Sequence, residues 1–555
     1  MLTHKLARES DTPSARKQRG AFFTPPAIAE HLVSWALDGG SARTILDPTC
    51  GDGEFLRAAD RVLAESQAAS SFAYWGIDLH GESLDVARKS LAGSQAQVNL
   101  LERDVFTVEP DSEDGVPRVD VVVGNPPFIR FQEHKGESRR SARNVAQLAG
   151  VQLSGLASSW AATLVHASRF LKPSGRLAMV LPAELLTVSY AAPVREWLRN
   201  RFRSVNIVLF DKLQFPGTQA DVILLLAEGA GSCETFSLWP VQDGAELQKI
   251  KPYSQVNVNP GASDKWGSLL VPRAVKEDLG ALTGHEFQLL SDVADLRLGA
   301  VTGANSFFVM TDDERQAWNL KPGVDVRRLS PSIKNISGET LTDSRWRQAR
   351  DHGLKVWLFW PRGSVPSYAA ARYIAHGEKL KIHEGYKCRN REPWWRTPVP
   401  EIPDFFLSYM SHKTLRVVAN ASNVVQLNST HGFSLKTDLR GTPEASQLPI
   451  LALNSVTQLS AEMSGRWYGG GILKVEPSEA GRVLLPAVDT WRTVTSALED
   501  EDRRLKLLIK AGEYDQITQV IDRLLLGNLL GISPQRIEAL QIARSEARTR
   551  RIRRG

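Results

Sequence analysis

Short apolar runs alternate with longer stretches of mixed character over the first 230 residues. These runs begin near positions 44, 74, 100, 121, 176, 206 and 221. Apolar runs of this length, bounded by turn residues, are typical of buried strands, and their alternation with helical stretches indicates a parallel sheet. We therefore predict a doubly wound, Rossmann-like α/β domain over residues 18–235.

The pattern changes towards the C-terminus. Residues 245–490 contain short β-type runs interrupted by Pro and Gly, which predicts a mixed α/β domain. Residues 491–555 become helical, and the stretch 517–526 has the apolar spacing of a buried helix face. Residues 1–17 are polar, and we predict that this N-terminus is mobile.

The most informative predicted strand is the one that ends at residue 124. Residues 121–128 read Val-Val-Val-Gly-Asn-Pro-Pro-Phe. The amide oxygen of Asn125 and the carbonyl of Pro126 could accept hydrogen bonds from the amino group of adenine, a poor nucleophile whose lone pair is delocalised. Prolines fix φ and would hold that carbonyl in place, while Phe128 offers a flat face for a base. The alternative is an ordinary Pro-Pro turn after a strand.

The first predicted strand ends in an acid and a glycine turn. Residues 44–56 read as a short strand, a turn with two glycines and a helix, and Asp47 stands at the strand end. Glycines in such a turn allow a ligand to approach the backbone closely.

Two more predicted strands also end in acids. An acid at the position of Asp78 typically holds ribose hydroxyls, and Asp104 is placed to accept from an adenine amino group. Each alone could equally be a helix cap, turn or loop residue. Their succession before the Asn-Pro-Pro-Phe tip favours a nucleoside-containing ligand.

These motifs, in this order, resemble the γ class of N6-adenine-specific DNA methyltransferases, which belong to type II restriction–modification systems. Residues 20–26, Gly-Ala-Phe-Phe-Thr-Pro-Pro, resemble the N-terminal motif that covers the methionine end of the cofactor in that family. The linear order separates this class from the circularly permuted β class and from the α class. The resemblance covers residues 18–230 strongly and the remainder more loosely.

The resemblance implies a fold, a cofactor and a set of site residues. It implies a class I methyltransferase domain, then a DNA target-recognition domain over 245–490 and a helical C-terminal region with a basic tail. S-adenosylmethionine would donate the methyl group, without a metal. The implied cofactor-binding residues are Thr24, Asp47, Thr49, Gly51, Gly53, Asp78, Asp104 and Val105. The implied catalytic residues are Asn125, Pro126, Pro127 and Phe128. Phe128 and Phe215 would stack on the two faces of a flipped-out adenine, although Phe215 could also be a core residue.

Residues 385–396 mix cations with aromatic rings, as DNA-contacting segments often do. Related family members carry a similar segment in their recognition region. The implied DNA-binding residues are Arg389, Arg391, Trp394 and Trp395. The alternative is an aromatic core strand with solvated arginines.

Composition adds less than the motifs. The chain has 555 residues and no apolar run long enough for a membrane span. The formal net charge is +6, and much of it comes from arginines at the C-terminus, which we predict to form a solvated helix end or a weak phosphate-attracting tail. The three cysteines are far apart and suggest neither a disulfide framework nor a metal site, which suits a prokaryotic cytoplasm.

The expected partner is double-stranded DNA, with no membrane. The family implies a cognate restriction endonuclease that acts separately, and an orphan methylase is the alternative. A monomer is expected, since one adenine in an asymmetric complex suffices. Three alternatives stay open: methylation of a glutamine amide in protein or of an exocyclic amine in RNA, a methylase fused to a nuclease, and a non-catalytic DNA-binding protein. The short segment before residue 20 argues against an N-terminal nuclease, and the intact tip argues against a non-catalytic role.

Overall fold

Two compact units make up the protein. In this computed structural model the described residues are 24–38, 40, 42–64, 69–129, 137–154, 158–210, 222–241, 244–249, 256–258, 271–436, 440–442, 444–468 and 471–553. Unit 1 consists of Met1–Leu269, Tyr468–Gly471 and Arg550–Gly555, and unit 2 of Leu270–Trp467 and Ile472–Thr549.

The sheet of unit 1 confirms the predicted strands. Its strands are β1 (Thr44–Asp47), β2 (Ala73–Asp78), β3 (Gln97–Glu102), β4 (Val119–Gly124), β5 (Leu171–Pro182), β6 (Phe202–Phe210), β7 (Val222–Ala230), β8 (Phe236–Val241) and β9 (Val256–Val258). Their order is β3-β2-β1-β4-β5-β7-β6-β8-β9. The strands β3, β2, β1, β4 and β5 are neighbours in this order and are all parallel. Strand β7 lies between β5 and β6 and is antiparallel to both. The sheet therefore continues past residue 235, since β8 pairs with β6.

The strand order reverses between β1 and β4, which are neighbours in the sheet. The crevice beside such a reversal, at the carboxyl ends of the strands, is where open α/β sheets bind ligands. Val121, Val122 and Val123 of β4 are at most 1 % exposed, as expected of a parallel strand that is covered on both faces. Burying each of these side chains contributes about 1.5–3 kcal/mol to the free energy of unfolding, which stabilises the strand that carries the Asn125 tip.

Helices cover the sheet of unit 1. They are α1 (Pro26–Leu37), α2 (Glu54–Leu63), α3 (Gly81–Ser90), α4 (Glu137–Leu148), α5 (Ser159–Ala167), α6 (Glu184–Thr187) and α7 (Ala192–Arg201). Helix α1 begins at Pro26, whose fixed φ suits a first helical position and whose missing N–H has no helical partner to lose. Ile28 and Leu32 of this helix lie in the same core as Phe55 of α2 and Val121 of β4.

Unit 2 is a mixed α/β structure, as predicted. Two of its elements, Arg466–Tyr468 and Pro534–Arg553, end in residues that belong to unit 1. Its strands are β10 (Phe287–Leu289), β11 (Ala294–Leu298), β12 (Val309–Met310), β13 (Val326–Arg328), β14 (Trp357–Phe359), β15 (Phe405–Ser408), β16 (Met410–Ser411), β17 (Val417–Ala419), β18 (Thr430–Leu435), β19 (Arg466–Tyr468), β20 (Ile472–Lys474) and β21 (Leu484–Pro486). Its helices are α8 (Arg273–Leu282), α9 (Leu290–Val293), α10 (Asn305–Phe308), α11 (Asp312–Ala317), α12 (Asp343–Asp351), α13 (Tyr368–Lys379), α14 (Tyr386–Arg389), α15 (Leu448–Leu451), α16 (Ser455–Ser464), α17 (Pro477–Ala480), α18 (Val488–Ala511), α19 (Tyr514–Ile521) and α20 (Pro534–Arg553), with a π-helix at Asp522–Leu529.

The C-terminal helices share a core with the β-rich part of unit 2. Trp491 of α18 and Leu540 of α20 are fully buried in the same cluster as Phe433 of β18. The helical spacing read from residues 517–526 is confirmed, since Ile517, Val520, Ile521, Leu524, Leu525 and Leu526 are all buried.

The prediction of a solvated C-terminal helix end is wrong for its first arginines. Arg548 forms two hydrogen bonds with the Asp515 carboxylate, at 2.7 and 2.9 Å, and Arg544 pairs with the same group. Arg551 is 1 % exposed. The positive charges are therefore used inside the fold, which a count of charges along the sequence does not reveal.

None of the helices among the described residues is long and apolar enough to cross a membrane.

Candidate active site

Asp47 lies at the carboxyl end of β1 and is almost completely buried, with 1 % of its surface exposed. Its Oδ1 accepts a hydrogen bond from the backbone N–H of Thr49 at 3.1 Å. Burial raises the pKa of this carboxyl to about 8, against the lowering effect of that hydrogen bond, and the nearby charges of Asp78 and Asp52 raise it further. A positively charged group brought to this crevice would favour the ionised form of Asp47.

The turn after Asp47 depends on its glycines. Gly51 and Gly53 have φ values of +52° and +84°, a region that residues with a Cβ rarely adopt. A Cβ at Gly53 would lie 3.1 Å from that of Ala87 in α3, so this glycine also lets two helices approach. Across the sheet, a Cβ at Gly124 would lie 2.9 Å from Asp47 Oδ1. The end of β4 is therefore shaped around the Asp47 carboxyl.

Asp78, at the end of β2, binds the glycine turn of β1. Its Oδ2 accepts from the N–H of Gly51 at 2.8 Å, and its Oδ1 accepts from the N–H of His80, also at 2.8 Å. These bonds fix the carboxylate beside the turn and leave each oxygen a further lone pair. Two residues that the sequence placed in one ligand site, Asp78 and Gly51, are thus in direct contact.

Asp104 follows β3 and begins a single 3-10 turn, Val105–Thr107. Its Oδ1 accepts from the N–H of Phe106 at 3.0 Å, and Val105 is buried with 8 % of its surface exposed. The carboxylate is half-buried and held by its own backbone, as in an N-cap.

The Asn-Pro-Pro-Phe tip extends directly from β4. Asn125 Nδ2 donates to Thr24 Oγ1 at 3.2 Å, which orients the side-chain amide. Pro126 is buried, and the carbonyl of Pro127 accepts from Ser159 Oγ at 2.5 Å. The ring of Phe128 is half-buried. The tip is therefore held from two sides, by the segment before α1 and by the first residue of α5.

The predicted site residues of unit 1 gather at the carboxyl ends of neighbouring parallel strands. Asp78 and Asp47 are the last residues of β2 and β1, and Asn125 follows β4; these three strands are adjacent in the sheet. Phe215 and residues 20–23 lie outside the described residues.

The four residues predicted to bind DNA lie in unit 2, and they differ in exposure and in hydrogen bonding. Arg391 donates to the carbonyl of Thr302 at 2.8 Å and also to that of Val301, so its guanidinium holds the fold. Trp395 is 7 % exposed, and Trp394 Nε1 lies 3.3 Å from Glu378 Oε1. Arg389 is exposed.

Arg389 stands beside an exposed ring. Its guanidinium carbon is 5.4 Å from the centroid of Tyr386, of which 66 % is exposed. Residues 386–389 form the short helix α14. They do not form the aromatic core strand that was the alternative to a DNA-contacting segment.

Sequence reasoning missed Ser159 and His166, both on α5. A Ser-Ser pair before an apolar helix signals a helix start, but nothing in the sequence shows which loops those hydroxyls reach.

Comparison with known proteins indicates a family. Residues 9–232 match the model described as N-6 DNA Methylase, and residues 263–526 match that of the C-terminal domain of the type II methyltransferase M.Eco57I. Together these matches cover most of the chain. These two matches, together with the relatives below, support a type II DNA methyltransferase.

Individual relatives agree with this family over nearly their whole length. The type II methyltransferase M.AccI of Acinetobacter calcoaceticus is 23 % identical over 92 % of this chain and 93 % of its own. M.XamI of Xanthomonas campestris pv. amaranthicola is 22 % identical over 88 % and 89 %. Among solved structures, the DNA complex of the type IIL restriction–modification enzyme MmeI covers 97 % of this chain and 80 % of that one, with a TM-score of 0.60 at 13 % identity. This last likeness shows the fold.

Proposed function

We propose that this type II DNA methyltransferase transfers a methyl group from S-adenosylmethionine to N6 of a flipped-out adenine in duplex DNA. The observation that carries the proposal is the Asn125-Pro126-Pro127-Phe128 tip, held at the carboxyl end of β4 by Thr24 and Ser159. The tip offers an amide and a carbonyl oxygen beside a flat ring. Few acceptor groups other than an exocyclic amine or an amide need that set.

The residues at the strand ends fit S-adenosylmethionine. Among the described residues, the buried Thr49 Oγ1 has no hydrogen-bond partner, and a Cβ at Gly51 would meet nothing within 4 Å. The carboxyl groups of Asp47 and Asp78 favour a cationic ligand with ribose hydroxyls. When bound, the cofactor supplies an electrophilic methyl group.

In the proposed complex, each group has one task. Thr24 and the Asp47–Gly53 turn would hold the methionine end, Asp78 the ribose, and Asp104 with Val105 the adenine of the cofactor. These tasks follow the family resemblance, and the short distances between Asp78, Gly51 and Asp47's turn support a single contiguous site.

The target adenine must leave the duplex to reach this site. Asn125 Oδ1 and the carbonyl of Pro126 would accept the two N6 hydrogens and draw the nitrogen towards tetrahedral geometry, which exposes its lone pair. Phe128 and Phe215 would stack on the base, and each such contact contributes about 1–3 kcal/mol. Holding the reacting atoms in this geometry can lower the barrier by roughly 7–11 kcal/mol in ideal cases.

Residues 245–490 would recognise the DNA sequence. The match of residues 263–526 to the C-terminal domain of a type II methyltransferase supports this assignment. Within the predicted segment, Arg389 is exposed, and we propose that it contacts a phosphate or a base edge.

The biological setting follows from the family. We propose a monomer in the prokaryotic cytoplasm, where S-adenosylmethionine and chromosomal DNA meet, acting as the modification half of a restriction–modification system beside a separate endonuclease. The alternative acceptors, a glutamine amide or an RNA amine, lack support among the relatives.

The acceptor can be identified directly. The purified protein is given S-adenosylmethionine labelled in the methyl group together with unmethylated plasmid DNA, total RNA or a protein extract, and the products are digested and analysed by mass spectrometry. N6-methyldeoxyadenosine from the DNA, absent with Asn125→Ala, supports the proposal. Label on cytosine, RNA or protein, with none on adenine in DNA, contradicts it.

A further inference from the structure

Helix α5 is buried along its whole length, although it lies directly behind the candidate site. All nine of its residues, Ser159–Ala167, are buried. Its two ends contact two different loops, one after β4 and one after β3. A helix is stiff over this length, so whatever it holds at each end is held at a fixed separation.

The N-terminal end of α5 binds the loop that follows the Asn-Pro-Pro tip. Ser159 Oγ donates to the carbonyl of Pro127 at 2.5 Å and accepts from the N–H of Ile129 at 3.1 Å. The N–H of Ser159 also donates to the Ile129 carbonyl, at 2.8 Å.

Ser158 adds a fourth bond to this loop. It occupies the N-cap position of α5 but makes no capping bond, the usual role of serine there. Its hydroxyl donates instead to the carbonyl of Ile129 at 3.0 Å. The helix start thus gives up its own cap for a contact with the loop that carries Phe128.

The other end of α5 binds the turn after Asp104. His166 Nε2 lies 3.0 Å from the carbonyl of Val105 and 2.9 Å from that of Val108, so it carries a proton and donates to both. Nδ1 accepts from Arg169, 3.3 Å away. Arg169 in turn forms an ion pair with Glu109. The tautomer and orientation of the ring are therefore fixed from both sides.

Ser159 and His166 are seven residues apart, so they lie on the same face of the helix, about 10 Å from each other along its axis. We propose that α5 sets the separation between the target-base loop and the cofactor-adenine loop, with Ser159 and His166 as positioning residues. The proposal rests on the proposed methyl transfer, and it assigns each residue a different kinetic effect. Ser159 acts on the placement of the target base, and His166 on the binding of the cofactor.

The experiment compares matched variants of the full chain. Ser159→Ala removes the hydroxyl that joins Pro127 and Ile129, and His166→Leu removes the donor to Val105 and Val108 at similar volume. His166→Gln keeps a nitrogen donor near the Nε2 position. Thr163→Val is the control, since the Thr163 hydroxyl donates to the Ser159 carbonyl within α5 itself, at 3.1 Å, and no bond of it to either loop is seen among the described residues.

For each variant, the methyl-transfer rate is measured at saturating cofactor and DNA, and the Kd for S-adenosylhomocysteine by calorimetry. Because sub-ångström misplacement of reacting groups is costly, Ser159→Ala should lower the rate by roughly 10- to 100-fold and change Kd by less than about twofold. His166→Leu loses a hydrogen bond at the cofactor loop and should raise Kd by roughly five- to tenfold. His166→Gln should restore most of the lost affinity. Thr163→Val should change neither quantity.

The positioning roles would be refuted if folded Ser159→Ala and His166→Leu kept wild-type rate and Kd, or if both variants moved rate and Kd by the same factor, as general destabilisation would. A variant that fails to fold is replaced by Ser159→Cys or His166→Asn, which change the donor geometry with less loss of packing. The calorimetric arm does not need a methyl acceptor. If wild-type protein methylates no adenine but His166→Leu still weakens the binding of S-adenosylhomocysteine, the proposed function fails. The role of His166 at the cofactor loop then still stands.

Discussion

Asn125 Nδ2 donates a hydrogen bond to Thr24 Oγ1 at 3.2 Å, which joins two residues 101 positions apart in the chain. Thr24 is buried, with 7 % of its surface exposed, and directly precedes Pro25 and Pro26, the N-cap and the first residue of α1. With one amide hydrogen bound to Thr24, the amide plane of Asn125 is fixed. Thr24, which we propose holds the methionine end of the cofactor, therefore also orients the proposed catalytic tip.

Thr24→Val should test this orientation. It removes the acceptor at nearly constant volume, and a hydrogen bond of about 1 kcal/mol corresponds to a rate loss of roughly five- to tenfold. The rate is measured at saturating cofactor, so that weaker cofactor binding does not contribute. Thr24→Ser keeps the hydroxyl and should recover most of the rate. An unchanged rate for Thr24→Val would show that Asn125 does not depend on this bond.

Gly124→Ala should disturb the site from behind. Its Cβ would lie 2.9 Å from Asp47 Oδ1 and 3.4 Å from Pro48 Cδ, inside a packed sheet. Overpacking of this kind costs about 1–3 kcal/mol in the free energy of unfolding, measurable by denaturant titration. Gly93→Ala is the control, since a Cβ there meets nothing within 4 Å. Equal stability of the two variants would contradict the close fit of Gly124 to Asp47.

The buried carboxyl of Asp47 should make stability depend on pH. Its pKa is about 8 in the folded protein, whereas an exposed aspartate titrates near pH 4, at about 3.9. Between these values the unfolded chain loses a proton that the folded chain keeps. The stabilisation from this group is therefore complete below pH 4 and is lost as the pH rises towards 8.

Asp47→Asn should remove that dependence. We expect the variant to gain melting temperature over wild type at pH 8 but not at pH 4. Its Kd for S-adenosylhomocysteine should rise roughly 10- to 100-fold, the size of a lost charge-assisted hydrogen bond of about 1.5–3 kcal/mol. Parallel pH profiles of melting temperature for the two proteins would show that Asp47 titrates normally.

Arg389 and Arg391 offer a matched pair in the proposed recognition domain. Arg389→Ala should weaken DNA binding and reduce its logarithmic salt dependence by about one unit, as for one phosphate contact, with little effect on stability. Arg391→Ala should instead lower the melting temperature, because Arg391 holds the carbonyls of Val301 and Thr302. Fluorescence anisotropy over a range of salt concentrations, beside thermal unfolding, separates the two effects. DNA binding that is unaffected by Arg389→Ala would remove this residue from the interface.

The sheet of unit 1 could be predicted from the sequence because its strands are buried on both faces. Val121–Val123 and the run around Leu225 are continuous apolar segments, and each ends where turn residues begin. Once the strands are predicted, the acids and the Asn-Pro-Pro-Phe tip can be placed at their carboxyl ends. Local order along the chain is enough for this part of the site.

Contacts between distant segments could not be predicted in the same way. The bonds from Asn125 to Thr24 and from His166 to Val105 join residues far apart in sequence, and side-chain geometry alone decides them. In unit 2, the sequence predicts that Arg391 and Trp395 contact DNA at the surface. In the structure, Arg391 donates a hydrogen bond to the carbonyl of Thr302, and Trp395 is buried. Composition shows which groups are present and not whether the fold has already used them.

The most direct test of the proposed adenine methylation is single-molecule sequencing of plasmid DNA from a methylation-free host that expresses this protein, beside the same host with Asn125→Ala. We expect N6-methyladenine at one recurring short sequence with the wild-type protein and none with the variant, and this pattern would also reveal the recognised site. Folded wild-type protein in the cells without any modified adenine, or equal modification by Asn125→Ala, would contradict it.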